Sequence, residues 1–339
     1  MNTIPTTSRD TSAYTVVGGS EHHISGNNTA GKISAGKISA VILNRGTPYP
    51  RAVLFEELGK LGFESIISLE GSKRRFDLDG LSASFPSVRF ILSSGNVSPG
   101  EEINMAAQEL HTPLFFVIWD DLRILRGSAD RIIEKFSAAA DKTPRLCTVP
   151  VIQDGSFETM PTLIAPLQIR GKVKTCPFVP EQDGQKTLFP FDGIGIYNRE
   201  TFLRMGGFDR SLGSSLSGFY WQLMDFGFRS WLWGEEINVS MAVRLSYEGS
   251  VTPEDNSTDA SFRRFYLKNL APVFRGDHAN LPLRRFPGFL IRSRGDILTG
   301  WEEFSLARAW VKINQYRYRC DAKSVTELWG NVHEEAAVS

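Results

Sequence analysis

The segment FFVIWDDLRI, Phe115 to Ile124, runs through Phe115, Phe116, Val117, Ile118 and Trp119 without a polar side chain and then sets two aspartates side by side. A short apolar run bounded by polar residues reads as a strand buried on both faces, the pattern of a parallel sheet. A buried strand gains nothing from carboxylates at its end, and Asp120 and Asp121 repel each other unless something positive lies between or beside them. Two readings follow. The pair opens the next element as an N-cap, for which one Asp would suffice, or it faces a cation.

The same grammar recurs upstream. ISAVILNRG is an apolar run ending on Asn44, Arg45 and Gly46, ESIISLEG ends on Glu70, and VRFILSS is a third such run. Between them, YPRAVLFEELGKLG places Val53, Leu54, Leu58 and Leu61 at helical spacing before a Gly stop. PGEEINMAAQEL reads as a helix opened by Pro99 and Gly100 with acids in its first turn. Strands alternating with helices predict an α/β fold with a parallel sheet flanked by helices. Ligands in such sheets bind beyond the carboxyl ends of the strands, where Asn44, Glu70 and Asp120-Asp121 all fall. Downstream, RLCTVPVI reads as a strand, PFDGIGIYNRETFLRMGGFD as a strand, a helix from about Arg199 and a Gly-Gly turn, YWQLMDFGFRSWLWG as a helix, and EINVSMAVRLSYEGS as a strand pair.

The flanks differ from this centre. Residues 1–35 are rich in Ser, Thr, Gly and Asn, without hydrophobic periodicity, and read as a disordered or loosely packed leader. Residues 36–260 form the α/β domain on this reading, and 261–339 a mainly helical extension packed on it. Between Phe262 and Arg319, twelve Lys or Arg face four Asp or Glu, although the whole chain of 339 residues balances 38 basic against 38 acidic side chains. The neutral total argues against nucleic-acid binding, which needs a basic field. The basic C-terminal part suits either solvated helix faces or phosphates of a nucleotide, a lipid carrier or a membrane surface. Cys147, Cys176 and Cys320 are far apart with no CxxC spacing, so neither a zinc site nor a disulfide framework is expected. No stretch approaches the roughly 18 apolar residues of a membrane span, and the N-terminus lacks a secretory pattern. The expected location is cytoplasmic, with peripheral membrane contact through the basic part.

The order of these elements resembles a family 2-like glycosyltransferase of GT-A fold, within the nucleotide-diphospho-sugar transferases. AVILNRG, IISLEG and NVSPGEEINMAAQEL stand where that family has its first two strands and the helix before its metal strand, and VIWDDL stands at its Asp-x-Asp motif. YNRETFLRMGGFDRSL followed by MDFGFRSWLWG matches its Arg-x-x-Phe-x-x-x-Gly-Gly-Phe-Asp element and the Asp-x-x-x-Arg helix beyond it, so the similarity spans about Ile38 to Ser250. The resemblance implies a mostly parallel central sheet with a mainly helical C-terminal extension. It also implies a nucleotide-diphosphate sugar donor and a divalent cation, Mg²⁺ or Mn²⁺, bridging the diphosphate.

By the same resemblance, Asn44, Arg45, Glu70, Gly100, Asn104 and Asp120 would line the nucleotide, and Asp121 would ligate the metal, with Glu248 standing where several relatives place a further ligand. Lys73, Arg74 and Arg75 read as a solvated loop or as phosphate contacts, and His278 as a structural histidine or an alternative ligand. Gly206-Gly207-Phe208-Asp209 reads as a structural turn needing positive φ.

Two departures from the pattern stand out. The family's metal motif separates its aspartates by one residue, whereas Trp119-Asp120-Asp121-Leu122 has them adjacent. Inverting members also carry a Glu-Asp pair shortly before the helix aspartate, and those positions hold Gln222 and Leu223, ahead of Asp225. Leucine takes no proton, and glutamine is a negligible base at neutral pH. Asp192 or Asp225 would then serve as base, or the departing diphosphate would in a retaining reaction, or the protein binds a nucleotide sugar without transferring it. The leading expectation is a glycosyltransferase of polysaccharide biosynthesis acting on a glycan, glycolipid or phosphate-bearing acceptor; the alternative is an inactive nucleotide-sugar-binding protein. A nucleotidyltransferase is disfavoured, because LNRGTPYPR has only one glycine after the first strand.

Overall fold

A computed structural model describes residues 13–19, 38–45, 51–71, 78–125, 133–134, 145–169, 172–213, 218–247, 260–293 and 296–330. Strands β1 (Tyr14–Gly18), β2 (Ile38–Leu43), β3 (Ile66–Glu70), β4 (Val88–Ser93), β5 (Leu114–Trp119), β6 (Leu122–Ile124), β7 (Cys147–Gln153), β10 (Gly195–Asn198) and β11 (Ile237–Tyr247) form one sheet in the order β1-β4-β3-β2-β5-β10-β7-β11-β6. The run β4-β3-β2-β5 is parallel throughout. Every residue of β2, β3 and β5 is buried, which is why these strands read as unbroken apolar runs. A separate hairpin joins β8 (Leu163–Ile169) to β9 (Lys172–Phe178).

Register sets the rim. Leu43 lies opposite both Leu69 and Trp119, so Asn44, Glu70 and Asp120 each follow these paired positions by one residue at the same level. The backbone N–H of Asp120 donates to Leu43 O at 2.9 Å, carrying this alignment past the end of β5. Neighbouring strands are about 4.8 Å apart, so three polar positions on three adjacent strands face one edge.

Helices α1 (Arg51–Lys60), α2 (Leu78–Ser84), α3 (Pro99–Glu109), α4 (Arg199–Met205) and α5 (Gly218–Leu232) accompany this sheet. Every residue of α5 is buried, so it is an internal helix rather than a surface one. The C-terminal part holds α6 (Ala260–Phe265), a π-turn at Tyr266–Leu270, a short hairpin of β12 (Val273–Arg275) and β13 (His278–Asn280), α7 (Phe286–Ser293), α8 (Ile297–Asn314) and α9 (Ala322–Glu327). The expected architecture, a largely parallel sheet between helices with a mainly helical C-terminal part, is the one observed.

Two local readings are corrected. Tyr14–Gly18, inside the stretch read as a leader, is an edge strand antiparallel to β4. Its YTVVG segment is too short to announce a strand, although Tyr14 and Val16 pack half-buried against the core while the β4 ladder holds the backbone. EINVSMAVRLSY forms one strand instead of two: β11 follows β7 to Ser240, breaks register, and resumes at Arg244. At the break, Asp183 accepts a hydrogen bond from the Met241 N–H at 2.8 Å, satisfying a donor that the ladder leaves free.

Candidate active site at the sheet rim

The positive partner of the aspartates is Arg45. Its Nε lies 2.8 Å from Asp121 Oδ2, its Nη2 ion-pairs with Asp192 and also reaches the Tyr247 hydroxyl, and its backbone N–H donates to Asp120 Oδ1 at 3.1 Å. The guanidinium stacks on Trp119 at 3.9 Å from the ring centroid. A residue just beyond β2 therefore engages both acids beyond β5 and a third acid from the turn before β10. A planar, permanently charged guanidinium suits such a position, since it can pair with two carboxylates and stack at once.

Asp192 reaches the rim by an uncommon backbone. It sits at φ 51°, ψ 25° in the turn Phe191–Gly193, a left-handed conformation that Asp tolerates better than most residues. Trp119 Nε1 donates to Asp192 O at 2.9 Å, and the Tyr247 hydroxyl donates to Asp192 Oδ2 at 3.3 Å. Tyr197 Oη, donating to Gly193 O at 2.7 Å, fixes the turn from beneath. Burial raises the Tyr247 phenol well above its ordinary range and Asp192 adds to the shift, so the hydroxyl keeps its proton.

Glu70 is fully buried and already partnered. Arg51 ion-pairs with it, Asn44 Nδ2 donates to Oε2 at 3.0 Å, and Ser68 Oγ donates to Oε1 at 2.9 Å. Arg51, which sequence reasoning misses, is thereby a neighbour of the candidate site, and a signal for it is there. An arginine in the first turn of a helix opposes the helix dipole, which is tolerable where an acid waits nearby.

Burial pushes the Asp120 carboxyl up to about 6; the Arg45 backbone N–H acts against the rise and Asp121 adds to it. Asp120 Oδ2 and Asp121 Oδ1 are buried and accept no hydrogen bond from the described residues. Adjacent carboxylates with one open oxygen each fit a hard dication, which prefers carboxylate oxygens. Among the described residues no group of three or more His, Cys, Asp or Glu stands ready as a cage. Glu248 and Lys73, Arg74 and Arg75 lie outside the described residues. His278 Nδ1 lies 2.8 Å from Asp277 Oδ1 on the β12–β13 hairpin.

Three expected site residues have other work. Asn104 clamps the Gly-Gly turn, donating to Phe208 O at 2.8 Å and accepting from Phe208 N at 2.9 Å. Gly100 is where α3 meets α5: a Cβ there would lie 2.6 Å from Gln222 Oε1 and 2.9 Å from Phe208 Cβ. Asp225 is fully buried, accepting from Arg229 Nε at 3.1 Å and Asn269 Nδ2 at 2.8 Å, with Lys268 Nζ 2.9 Å away. Burial alone would raise its carboxyl, but Lys268 and Arg229 outweigh that and hold it below the usual range. Asp225 is thus a member of a core ion-pair network rather than a carboxylate of the rim. Leu223 is likewise buried, and Gln222 Nε2 donates to Asp209 O at 3.1 Å.

No protein-family model matches the chain, and no curated protein matches it. Among solved structures it is similar to GalNAc-T7 crystallised with UDP, GalNAc and Mn²⁺, at 14% identity over 69% of this chain and 48% of that one, with a TM-score of 0.48. It is also similar to S. aureus TarS 1–349 in complex with UDP-GlcNAc, at 12% identity over 68% of this chain and 65% of that one, TM-score 0.48. A longer S. aureus TarS structure aligns at 13% identity over 86% and 55%, TM-score 0.47. The chain spans about half to two thirds of the length of these structures.

Proposed function

We propose that this chain transfers a sugar from a nucleotide-diphosphate sugar to a hydroxyl acceptor, with residues 36–260 as the donor-binding domain and 261–339 as an extension packed on it. The observation that supports the reading is the convergence of Asn44, Arg45, Asp120, Asp121 and Asp192 on one rim at the carboxyl ends of parallel strands. Acids gathered in this way are stable only with positive charge among them. Arg45 supplies it in the free protein; a dication would add to it in the complex, where the anionic diphosphate raises the demand.

In this reading Asp120 and Asp121 would be the residues that hold an Mg²⁺ or Mn²⁺ ion. Bound there, the ion would neutralise charge developing on the departing diphosphate. Asn44 and Glu70 set the floor for the base or ribose, Asn44 through its own amide and Glu70 by fixing Asn44. Asp192 takes the acceptor proton: the acceptor O–H breaks, its proton moves to an Asp192 carboxylate oxygen, and the acceptor oxygen replaces the diphosphate oxygen on the anomeric carbon. Leu223 cannot perform that step and Asp225 is buried in a core ion-pair network, which supports Asp192 in the role.

Calorimetry with UDP and GDP, with and without Mn²⁺, on the native chain and on Asp121→Ala, tests the reading. Mn²⁺-dependent binding that Asp121→Ala weakens is the expected result; the same affinity in every condition overturns it. The burial of Leu223 at the position of the missing base favours a second reading, a nucleotide-sugar-binding protein without transfer. Asp121-dependent hydrolysis of a donor sugar would exclude that alternative.

A further inference from the structure

The C-terminal part carries apolar side chains that the fold leaves in solvent. Leu298 is 83% exposed, Ile291 80% and Ile297 66%, and Leu283 and Trp301 are also about half exposed. Single exposed apolar residues are ordinary, but these are neighbours. Ile297, Leu298 and Trp301 occupy the first turns of α8 on one helical face, and Trp301 packs edge-on against Phe286 of α7 at 5.2 Å. Leu283 and Trp301 line a cleft of about 690 Å³ between the Asn280–Leu283 segment and α8, and Arg308 and Lys312 line the same cleft.

Cations share the segment and the cleft. Arg284 and Arg285 are adjacent to Leu283 in the chain, and with Lys312 they have no ion-pair partner among the described residues. Arg308 uses its Nε on Leu281 O at 3.2 Å, which anchors the guanidinium at the cleft. The nearby acids are partly committed: Glu303 is held bidentately by Arg263, and Asp296 caps α8 by accepting from Thr299 N at 2.9 Å. Glu302 remains exposed against four cations.

We infer that the α7–α8 face is a docking surface for an anionic lipid bilayer, with Leu283, Ile297, Leu298 and Trp301 entering the headgroup boundary and Arg284, Arg285, Arg308 and Lys312 taking lipid phosphates. Apolar tips beside cations are what an interfacial element needs, because each half contributes where the other is weak. A second copy of this chain fits less well: a two-fold contact sets each patch against itself, and here that opposes arginine to arginine. No helix among the described residues is long and apolar enough to cross a membrane. The surface is independent of the rim, and vesicle binding and nucleotide binding can fail separately.

Flotation of the full chain with phosphatidylcholine vesicles, with and without phosphatidylglycerol, provides the test. The expected result is on the order of tenfold stronger binding to the anionic vesicles, weakened but not abolished by salt. Ile297→Ser with Leu298→Glu should cost about tenfold on anionic vesicles. Arg284→Glu with Arg285→Glu should remove the preference for phosphatidylglycerol. Both pairs lie on the surface, so thermal midpoints and UDP affinity should stay at native values. Absence of vesicle binding, or equal binding to both compositions, overturns the inference. So does a native dimer in sedimentation velocity that Leu298→Glu converts to monomer while vesicle binding is unchanged.

Discussion

Arg45 and Asp192, 147 positions apart in sequence, are joined by an ion pair across the rim, while the same arginine holds Asp121 through Nε at 2.8 Å. The side chain therefore stands among the carboxylates where a dication would have to come. Its own exposure is 15% and that of Asp121 is 17%, so the cluster is closely covered in this state. Removal of the guanidinium should free Asp121 for metal. Arg45→Met is expected to bind Mn²⁺, without nucleotide, several-fold more tightly than the native chain, since one positive competitor less is worth about 1 kcal/mol or more at partly buried sites. Isothermal titration with Mn²⁺ alone measures this directly. Weaker binding by the variant would mean that Arg45 supports the cation rather than standing in for it.

Asp192 and Asp225, the two acids that the sequence offers as bases, should separate cleanly. Asp192→Asn keeps shape and most hydrogen bonding but cannot accept the acceptor proton. Turnover should fall by about 10²–10⁴, the range for a positioned base, while the donor dissociation constant moves little. Asp225→Asn strikes Arg229 and Lys268 in the core, leaving buried cations short of a partner. It should cost about 3–5 kcal/mol of stability. Turnover assays beside urea midpoints discriminate the two: a stable but inactive Asp225→Asn would restore Asp225 to the chemistry.

Much of the scaffold is legible in the sequence because β2, β3 and β5 are buried on both faces and leave their apolar composition in plain view. Their ends are legible too, because Asn44, Glu70 and Asp120 are polar residues directly after apolar runs. Side-chain reach is not. Nothing local tells that Arg45 leans toward Asp121 and Asp192 rather than toward solvent, since those partners arrive from two other strands. The contacts of Asn104 and Gly100 are hidden for a similar reason: a helix beside a sheet edge also has a second face, and both residues meet Phe208 or Gln222 there. The burial of Asp225 is equally hidden, because an acid-to-arginine spacing of four on a helix describes an internal pair as well as an exposed one.

The buried network predicts a particular response to acid. Asp209 contacts Lys268 Nζ at 2.7 Å and Arg264 Nε at 3.0 Å, and Lys268 bridges it to Asp225. Burial would raise both carboxyls, but these cations outweigh it and hold both below the ordinary range. Groups depressed in the folded state add stability above the unfolded pKa of about 4 and lose it as pH falls below that value. Lys268→Met should therefore be less stable than the native chain by about 3–5 kcal/mol near neutrality. The difference should narrow below about pH 4, because the variant takes up fewer protons on unfolding. Urea midpoints across that pH range give the comparison, and a gap constant with pH would assign the loss to the contact of Lys268 Nζ with the Trp310 ring, 4.4 Å from its centroid, instead.

The Gly-Gly turn offers a final, purely conformational test. Gly207 has φ +62°, and a Cβ built on it would run into the Asn104 side chain and lie 3.1 Å from Phe202 Cε1. Arg229 Nη2 donates to Gly207 O at 2.6 Å and Nη1 to Met205 O at 2.5 Å, so the turn cannot shift without breaking buried bonds. Gly62 shares the left-handed backbone at φ +80°, but a Cβ there would meet nothing within 4 Å. Gly62→Ala should cost only the backbone penalty, about 1–2 kcal/mol. Gly207→Ala should cost that plus overpacking, about 2–5 kcal/mol in all. Equal urea midpoints for the two variants would show that Asn104 can yield, and that its clamp on Phe208 is weaker than the two hydrogen bonds imply.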